Sequence, residues 1–136
     1  MPYNRLCNAG SKKDGESMQD ALPSVSVVVP IYNVERCLPQ CLEALCSQTL
    51  RDLEIVAVND GSTDGSLSVL QEWARKDERI VIVDKPNSGY GASMNCGIEA
   101  ARGAYIGIVE PDDFPERDMF KRLLRMAQRH DCDLVK

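Results

Sequence analysis

Leu53-Glu54-Ile55-Val56-Ala57-Val58-Asn59-Asp60-Gly61-Ser62-Thr63-Asp64-Gly65 decides the fold. The apolar run from Leu53 to Val58 reads as a buried strand. It passes directly into a loop of turn and cap residues. From Ser66 to Lys76 the period changes, and Leu67, Leu70, Trp73 and Ala74 fall on one helical face. Strand, polar loop and amphipathic helix make half of a βαβ unit.

The same pattern repeats on both sides. Upstream, Val25, Val27, Val28 and Val29 form a β-branched run ended by Pro30. Pro39 suits a first helical turn, and Leu38, Leu42, Leu45 and Cys46 then recur at helical spacing to about Gln48. Downstream, Ile80 to Val83 reads as a third strand, Pro86 to Gly91 as a loop, and Ala92 to Ala101 as a helix ended by Gly103. Ala104 to Val109 reads as a fourth strand. Pro115 opens a helix to about His130 that carries Met119, Leu123, Leu124 and Ala127 inward, and Asp133 to Val135 reads as the start of a fifth strand. Alternating strands and helices predict an α/β chain: a three-layer α/β/α arrangement around a mainly parallel, Rossmann-like sheet. In such folds ligands bind outside the carboxyl ends of the strands. Polar, Gly-rich loops follow all four strands, which places several of them to converge on one crevice.

The chain has 136 residues, of which 43% are hydrophobic and 27% charged, which suits one soluble domain. Residues 1–22 are polar and aperiodic and read as a flexible tail; residues 23–136 read as the domain. A net charge of -5 argues against nucleic acid and anionic membrane partners. Lys121, Arg122, Arg125 and Arg129 read as a solvated helix face. No apolar run approaches the length of a membrane span. The six cysteines (Cys7, Cys37, Cys41, Cys46, Cys96 and Cys132) form no C-x-x-C pair and read as structural or free thiols, suited to a reducing cytosol.

Four stretches carry chemistry. After the first strand, Tyr32 can stack on a base and Asn33 or Glu35 can hydrogen-bond to it; the same residues serve equally as a turn that opens a helix. After the second, Asp60 lies nearest the strand end and is placed to accept hydrogen bonds from a base or ribose, whereas Asp64 reads as a turn or N-cap residue. After the third, Gly89 and Gly91 let the backbone approach a ligand, and the following helix offers free N–H groups to a diphosphate. After the fourth, Glu110, Asp112 and Asp113 repel one another without a cation, and hard oxygen ligands favour Mg²⁺ or Mn²⁺. An exposed acidic turn capping the next helix accounts for them equally well.

Together these stretches resemble family 2 glycosyltransferases of the GT-A fold. The likeness runs from about Ser24 to Val135, through Val25 to Asn33, Leu45-Cys46-Ser47-Gln48-Thr49, Glu54 to Asp64, Asn87-Ser88-Gly89, Asn95-Cys96-Gly97, Ala101 to Tyr105 and Glu110-Pro111-Asp112-Asp113. The resemblance implies a nucleoside diphosphate sugar donor, most often a UDP-sugar, a Mg²⁺ or Mn²⁺ ion, and inverting transfer to a glycan or glycolipid hydroxyl. It implies that Pro30, Tyr32, Asn33, Glu35 and Asp60 line the nucleoside pocket. Lys85, Asn87, Gly89 and Asn95 would approach the diphosphate and sugar. Glu110 and Asp112 would hold ribose and metal, with Asp113 beside them. The sequence departs from the family at Glu110, where aspartate is usual. The family's general base lies in a later half, expected beyond Lys136, so no residue here is assigned that role. The resemblance thus makes this chain the nucleotide-sugar-binding half of an enzyme. Its expected setting is the cytoplasm, or the inner membrane face through other regions, and the truncation edge is expected to favour self-association. A non-catalytic nucleotide- or sugar-binding module and a structural remnant are the alternatives.

Overall fold

In the computed structural model, residues 22–135 are described. The chain order is β1 (Val25–Ile31), α1 (Leu38–Cys46), β2 (Leu53–Asp60), α2 (Ser66–Lys76), β3 (Ile80–Lys85), α3 (Tyr90–Ala100), β4 (Tyr105–Ile108) and α4 (Met119–His130). The four strands form one parallel sheet in the order β3-β2-β1-β4. The predicted tail, apart from Leu22, and Cys7 lie outside the described residues.

The central strands β1 and β2 are buried at every position. Their alternate side chains feed two separate cores. Val25, Val27, Val29 and Ile31 pack with Leu38, Leu42, Leu45, Leu70 and Phe120, which places α1, α2 and α4 on one face. Val28, Val56, Val58 and Val83 pack with Met94 and Ala100, which places α3 on the other. Helix α3 lies close to the sheet because Gly97 has no side chain: a Cβ there would stand 2.3 Å from a methyl of Val28. This is the three-layer α/β arrangement the sequence predicts.

Three strands run two residues further than their apolar runs. Pro30 does not end β1; it pairs with Val58, and the strand continues to Ile31. The Val28 carbonyl accepts from Val109 on the β4 side, so the backbone of Pro30, two residues on, faces the same way. The pairing with β4 stops at Val28, and the missing N–H of Pro30 therefore removes no ladder bond. Strands β2 and β3 likewise extend to Asp60 and Lys85, which are paired in register.

Two expectations are corrected. Helix α4 begins at Met119 rather than Pro115. The Glu116 and Arg117 carbonyls instead accept from the Gln48 side chain, at 2.7 Å, and from the Thr49 N–H, at 2.8 Å. Asp133 to Val135 form no strand. Asp131 turns left-handed (φ 50°), Cys132 N–H closes the end of α4 on the Ala127 carbonyl, and the following residues pass beside β4 without joining its ladder. The outer edge of β4 is thus unpaired among the described residues, and Ile106, Ile108, Phe114 and Met126 are exposed around it. A cleft of about 630 Å³ lies between this edge and α4.

At the amino ends of the strands, buried Glu54 accepts from the Ser26 hydroxyl (2.7 Å), the Arg102 N–H (3.0 Å) and the Arg102 side chain (2.9 Å). Gly103 N–H donates to Ser26 Oγ at 2.7 Å. The Arg102-Gly103 stretch therefore locks the end of α3 to the sheet, at the opposite end of the strands from Asp60 and Lys85.

Candidate functional site

The extra strand residues build the centre of the site. Register places Lys85 beside Asp60, and the two are 6% and 7% exposed. Lys85 Nζ donates to Asp60 Oδ1, to the Pro86 carbonyl at 3.0 Å and to Ser88 Oγ. Asp60 also accepts from Ser88 N–H on Oδ1 (2.8 Å) and Gly89 N–H on Oδ2 (3.0 Å), while its carbonyl accepts from Asn87 Nδ2 (3.0 Å). Burial alone would raise the Asp60 pKa, but the hydrogen bonds from Lys85, Ser88 and Gly89 outweigh it, and the carboxyl is held below its ordinary value. An ammonium has three donors, so in this arrangement Lys85 has none left for a phosphate. Asp60 receives three bonds against roughly four acceptor sites, which leaves about one for a ligand.

A second brace joins the loops after β1 and β2. Asn33 adopts the left-handed conformation (φ 52°), which asparagine tolerates better than most residues. Its Oδ1 accepts from Thr63 N–H at 2.7 Å and Asp64 N–H at 3.3 Å, and its own N–H donates to Ser62 Oγ at 3.1 Å. Glu35 accepts from Gly65 N–H at 3.1 Å and donates its N–H to Asp64 Oδ2 at 3.2 Å. Asp64 also accepts from the Ser66 N–H and hydroxyl, as a turn residue beside the cap would. Asn33 and Glu35 thus brace the crevice wall. Tyr32, just before Asn33, is 50% exposed.

The loop after β3 turns into α3 at Gly89, whose φ of 96° is accessible without strain only to glycine. No side chain caps α3, and in its first turn a Cβ at Gly91 would meet nothing within 4 Å. Asn95 is exposed one turn further along.

After β4 the acidic loop folds through an Asp113 N–H bond to the Glu110 carbonyl at 2.9 Å. Tyr90, the first residue of α3, donates its hydroxyl to Glu110 Oε1 at 2.6 Å and so joins the third loop to the fourth. Asp112 and Asp113 are exposed. Beneath the loop, the buried Cys41 thiol is pushed up to about 12 by burial, then by Cys37, Asp113 and Asp112. The described cysteines are free thiols, as read from the sequence.

Among the described residues no group of three metal-binding side chains stands close enough to enclose a cation unaided. The donor set still fits a hard divalent ion: Mg²⁺ is usually held by one or two carboxylates, with substrate phosphates and water completing its shell. Glu110, Asp112 and Asp113 offer such carboxylates beside the uncapped end of α3.

Sequence reasoning missed Gln48 as a functional support. It is 1% exposed, donates to the Glu116 carbonyl and accepts from Phe120 N–H at 3.3 Å, so it fixes the far side of the acidic loop. Its place in Ser47-Gln48-Thr49 was a signal without a partner, since that partner lies 68 residues away. Gln48→Ala is expected to cost about 1–3 kcal/mol by leaving buried groups unpaired. Hydrogen exchange should show faster opening of residues 110–118 than of the Asp60 cluster; equal protection in both would contradict the assignment.

The sequence profile described as Glycosyl transferase family 2 matches residues 26–136. The chain is 43% identical over 114 residues to the uncharacterised glycosyltransferase EpsJ of Bacillus subtilis, covering 84% of this chain and 33% of that protein. It thus spans about a third of that relative's length. The crystal structure of S. aureus TarS 1-349 in complex with UDP-GlcNAc matches 79% of this chain and 32% of its own, with a TM-score of 0.75 and 28% identity. The mannosyltransferase PcManGT from Pyrobaculum calidifontis, in complex with GDP-Man and Mn²⁺, matches 93% of this chain and 39% of its own, with a TM-score of 0.72 and 26% identity. The strand order, the loops gathered at the carboxyl ends and these matches agree, and the chain belongs to glycosyl transferase family 2.

Proposed function

We propose that this chain is the donor-binding part of an inverting glycosyltransferase that takes a nucleoside diphosphate sugar, with uridine as the base. The observation that carries the proposal is that hydrogen bonds join the four loops at the carboxyl ends of the strands in turn, through Asn33, Asp60 and Tyr90. Those loops carry an exposed aromatic ring (Tyr32), a braced carboxylate with acceptor capacity left (Asp60), an uncapped helix end (α3) and a run of carboxylates (Glu110, Asp112, Asp113). Tyr32 stacks on the base, within a wall shaped by Pro30, Asn33 and Glu35. Asp60 accepts from the base or ribose. Asn87, Gly89, Asn95 and the α3 N–H groups face the diphosphate and sugar, and Lys85 reaches the diphosphate only by exchanging Ser88 for it.

Glu110, Asp112 and Asp113 would hold Mg²⁺ or Mn²⁺, which when bound neutralises charge building on the leaving diphosphate. Attack then comes from an acceptor hydroxyl on the opposite side of the anomeric carbon. Its base is assigned to no residue of this chain, and the acceptor, a glycan or glycolipid, meets other parts of the full protein. We place the reaction in cell-surface polysaccharide synthesis on the cytoplasmic side. Among the described residues, no helix is long and apolar enough to cross a membrane. The unpaired β4 edge is a surface for self-association of the isolated chain.

A thermal-melt panel tests the base. UDP with Mn²⁺ should raise the melting temperature, as any ligand of the folded state does. GDP and dTDP should raise it less at equal concentration. No shift with any of them would remove the nucleotide reading, and a larger shift with GDP would reassign the base.

A further inference from the structure

Tyr90 is 57% exposed, and a hydrogen bond to another loop fixes its tip: the hydroxyl donates to Glu110 Oε1 at 2.6 Å. Its backbone follows Gly89, whose φ of 96° marks a sharp turn, and a Cβ at Gly89 would meet nothing within 4 Å. Tyr90 thus reaches from the open amino end of α3 to the carboxylate run after β4, across the space that the proposed diphosphate and cation would share. A cation taking the same Glu110 oxygen competes with the phenol proton for its electron density. The geometry points to Tyr90 as a positioning residue that latches Glu110 while the site is empty and releases it when a divalent cation arrives with a diphosphate. This rests on the donor-binding reading above. It also assigns a consequence to the glutamate at position 110: its longer side chain reaches the phenol.

The test uses the whole chain labelled with ¹³Cζ-tyrosine. The resonance missing from Tyr90→Phe identifies Tyr90. In the ligand-free protein, Glu110→Gln should move that resonance. Mg²⁺ with UDP should move it in the same direction in the unaltered chain. Calorimetry at saturating UDP should show Tyr90→Phe binding Mg²⁺ about threefold to tenfold more tightly, with UDP affinity in the absence of metal unchanged. The gain should vanish in the Glu110→Gln background. A purely structural role would change the melting temperature and leave the Mg²⁺ affinity alone. A Tyr90 resonance unmoved by Glu110→Gln, or unmoved while Mg²⁺ and UDP both bind, overturns the latch alone. Weaker Mg²⁺ binding in Tyr90→Phe also overturns it, by making the hydroxyl an aid to the cation. Failure of Mg²⁺ and UDP to bind both the unaltered chain and Tyr90→Phe overturns the donor-binding reading and the latch with it.

Discussion

Asp60→Ala is expected to cost about 3–5 kcal/mol of stability, because it leaves a charged Lys85 buried without its partner. The loss is large against a typical domain stability of about 5–15 kcal/mol. The same change strips the Ser88 and Gly89 N–H groups of their acceptor, so the glycine-rich loop loses its shape. Asp60→Asn keeps the size but not the charge and should lose less. Urea unfolding measures both, and an Asp60→Ala midpoint within error of the unaltered chain would contradict the brace. Acid should act in the same direction. The folded Asp60 pKa is depressed, so its contribution is full above the unfolded value of about 3.9 and is lost as pH falls through the folded value. Asp77, lowered to about 2 chiefly by the Arg79 side chain, follows the same rule, and its contribution drains away between about pH 4 and 2. Stability should therefore fall steadily below about pH 4, with a shallower fall in Asp60→Asn.

Phe120→Ala is expected to cost about 3–5 kcal/mol, as deletion of a buried aromatic ring usually does. Phe120 is 4% exposed and its ring covers Gly107 of β4 so closely that a Cβ there would lie 2.6 Å away. Its N–H also donates to Gln48, so the ring and the clamp under the acidic loop form one unit. The variant should loosen α4 from the sheet and speed hydrogen exchange in residues 110–118. The Asp60 cluster, on the other face, should keep its protection. Uniform loss of protection across both regions would show that α4 is not a separate contributor.

Most of the architecture was legible because each strand and helix declares its buried face locally. The valines of β1 and the Leu67-Leu70-Trp73 face of α2 need no distant partner to be recognised. The strand ends were not legible: Asn59, Asp60 and Lys85 are poor strand formers, and cross-strand pairing carries them into the sheet. Pro30 looked like a terminator because the side its backbone faces is set by pairing, not by sequence. The start of α4 depended on Gln48 and Thr49, which claim the carbonyls of residues 116 and 117. The apolar pattern of Asp133 to Val135 had no ladder partner to make it a strand. At the site, the chemical types were visible as residues at strand ends, but their occupation was not. That Lys85 spends its donors on Asp60, Pro86 and Ser88, or that Tyr90 meets Glu110, follows only from register and loop geometry.

The most direct test is a calorimetric titration of UDP into the chain with and without Mn²⁺, repeated with Asp112→Ala. Asp112 is exposed, and its loss should leave the fold intact. The account predicts UDP binding strengthened by Mn²⁺, with that gain reduced about tenfold or more in Asp112→Ala, a change of about 1.4 kcal/mol. A folded chain that releases no heat with UDP, or binds it equally well with and without Mn²⁺ and in Asp112→Ala, would contradict a metal-assisted donor site.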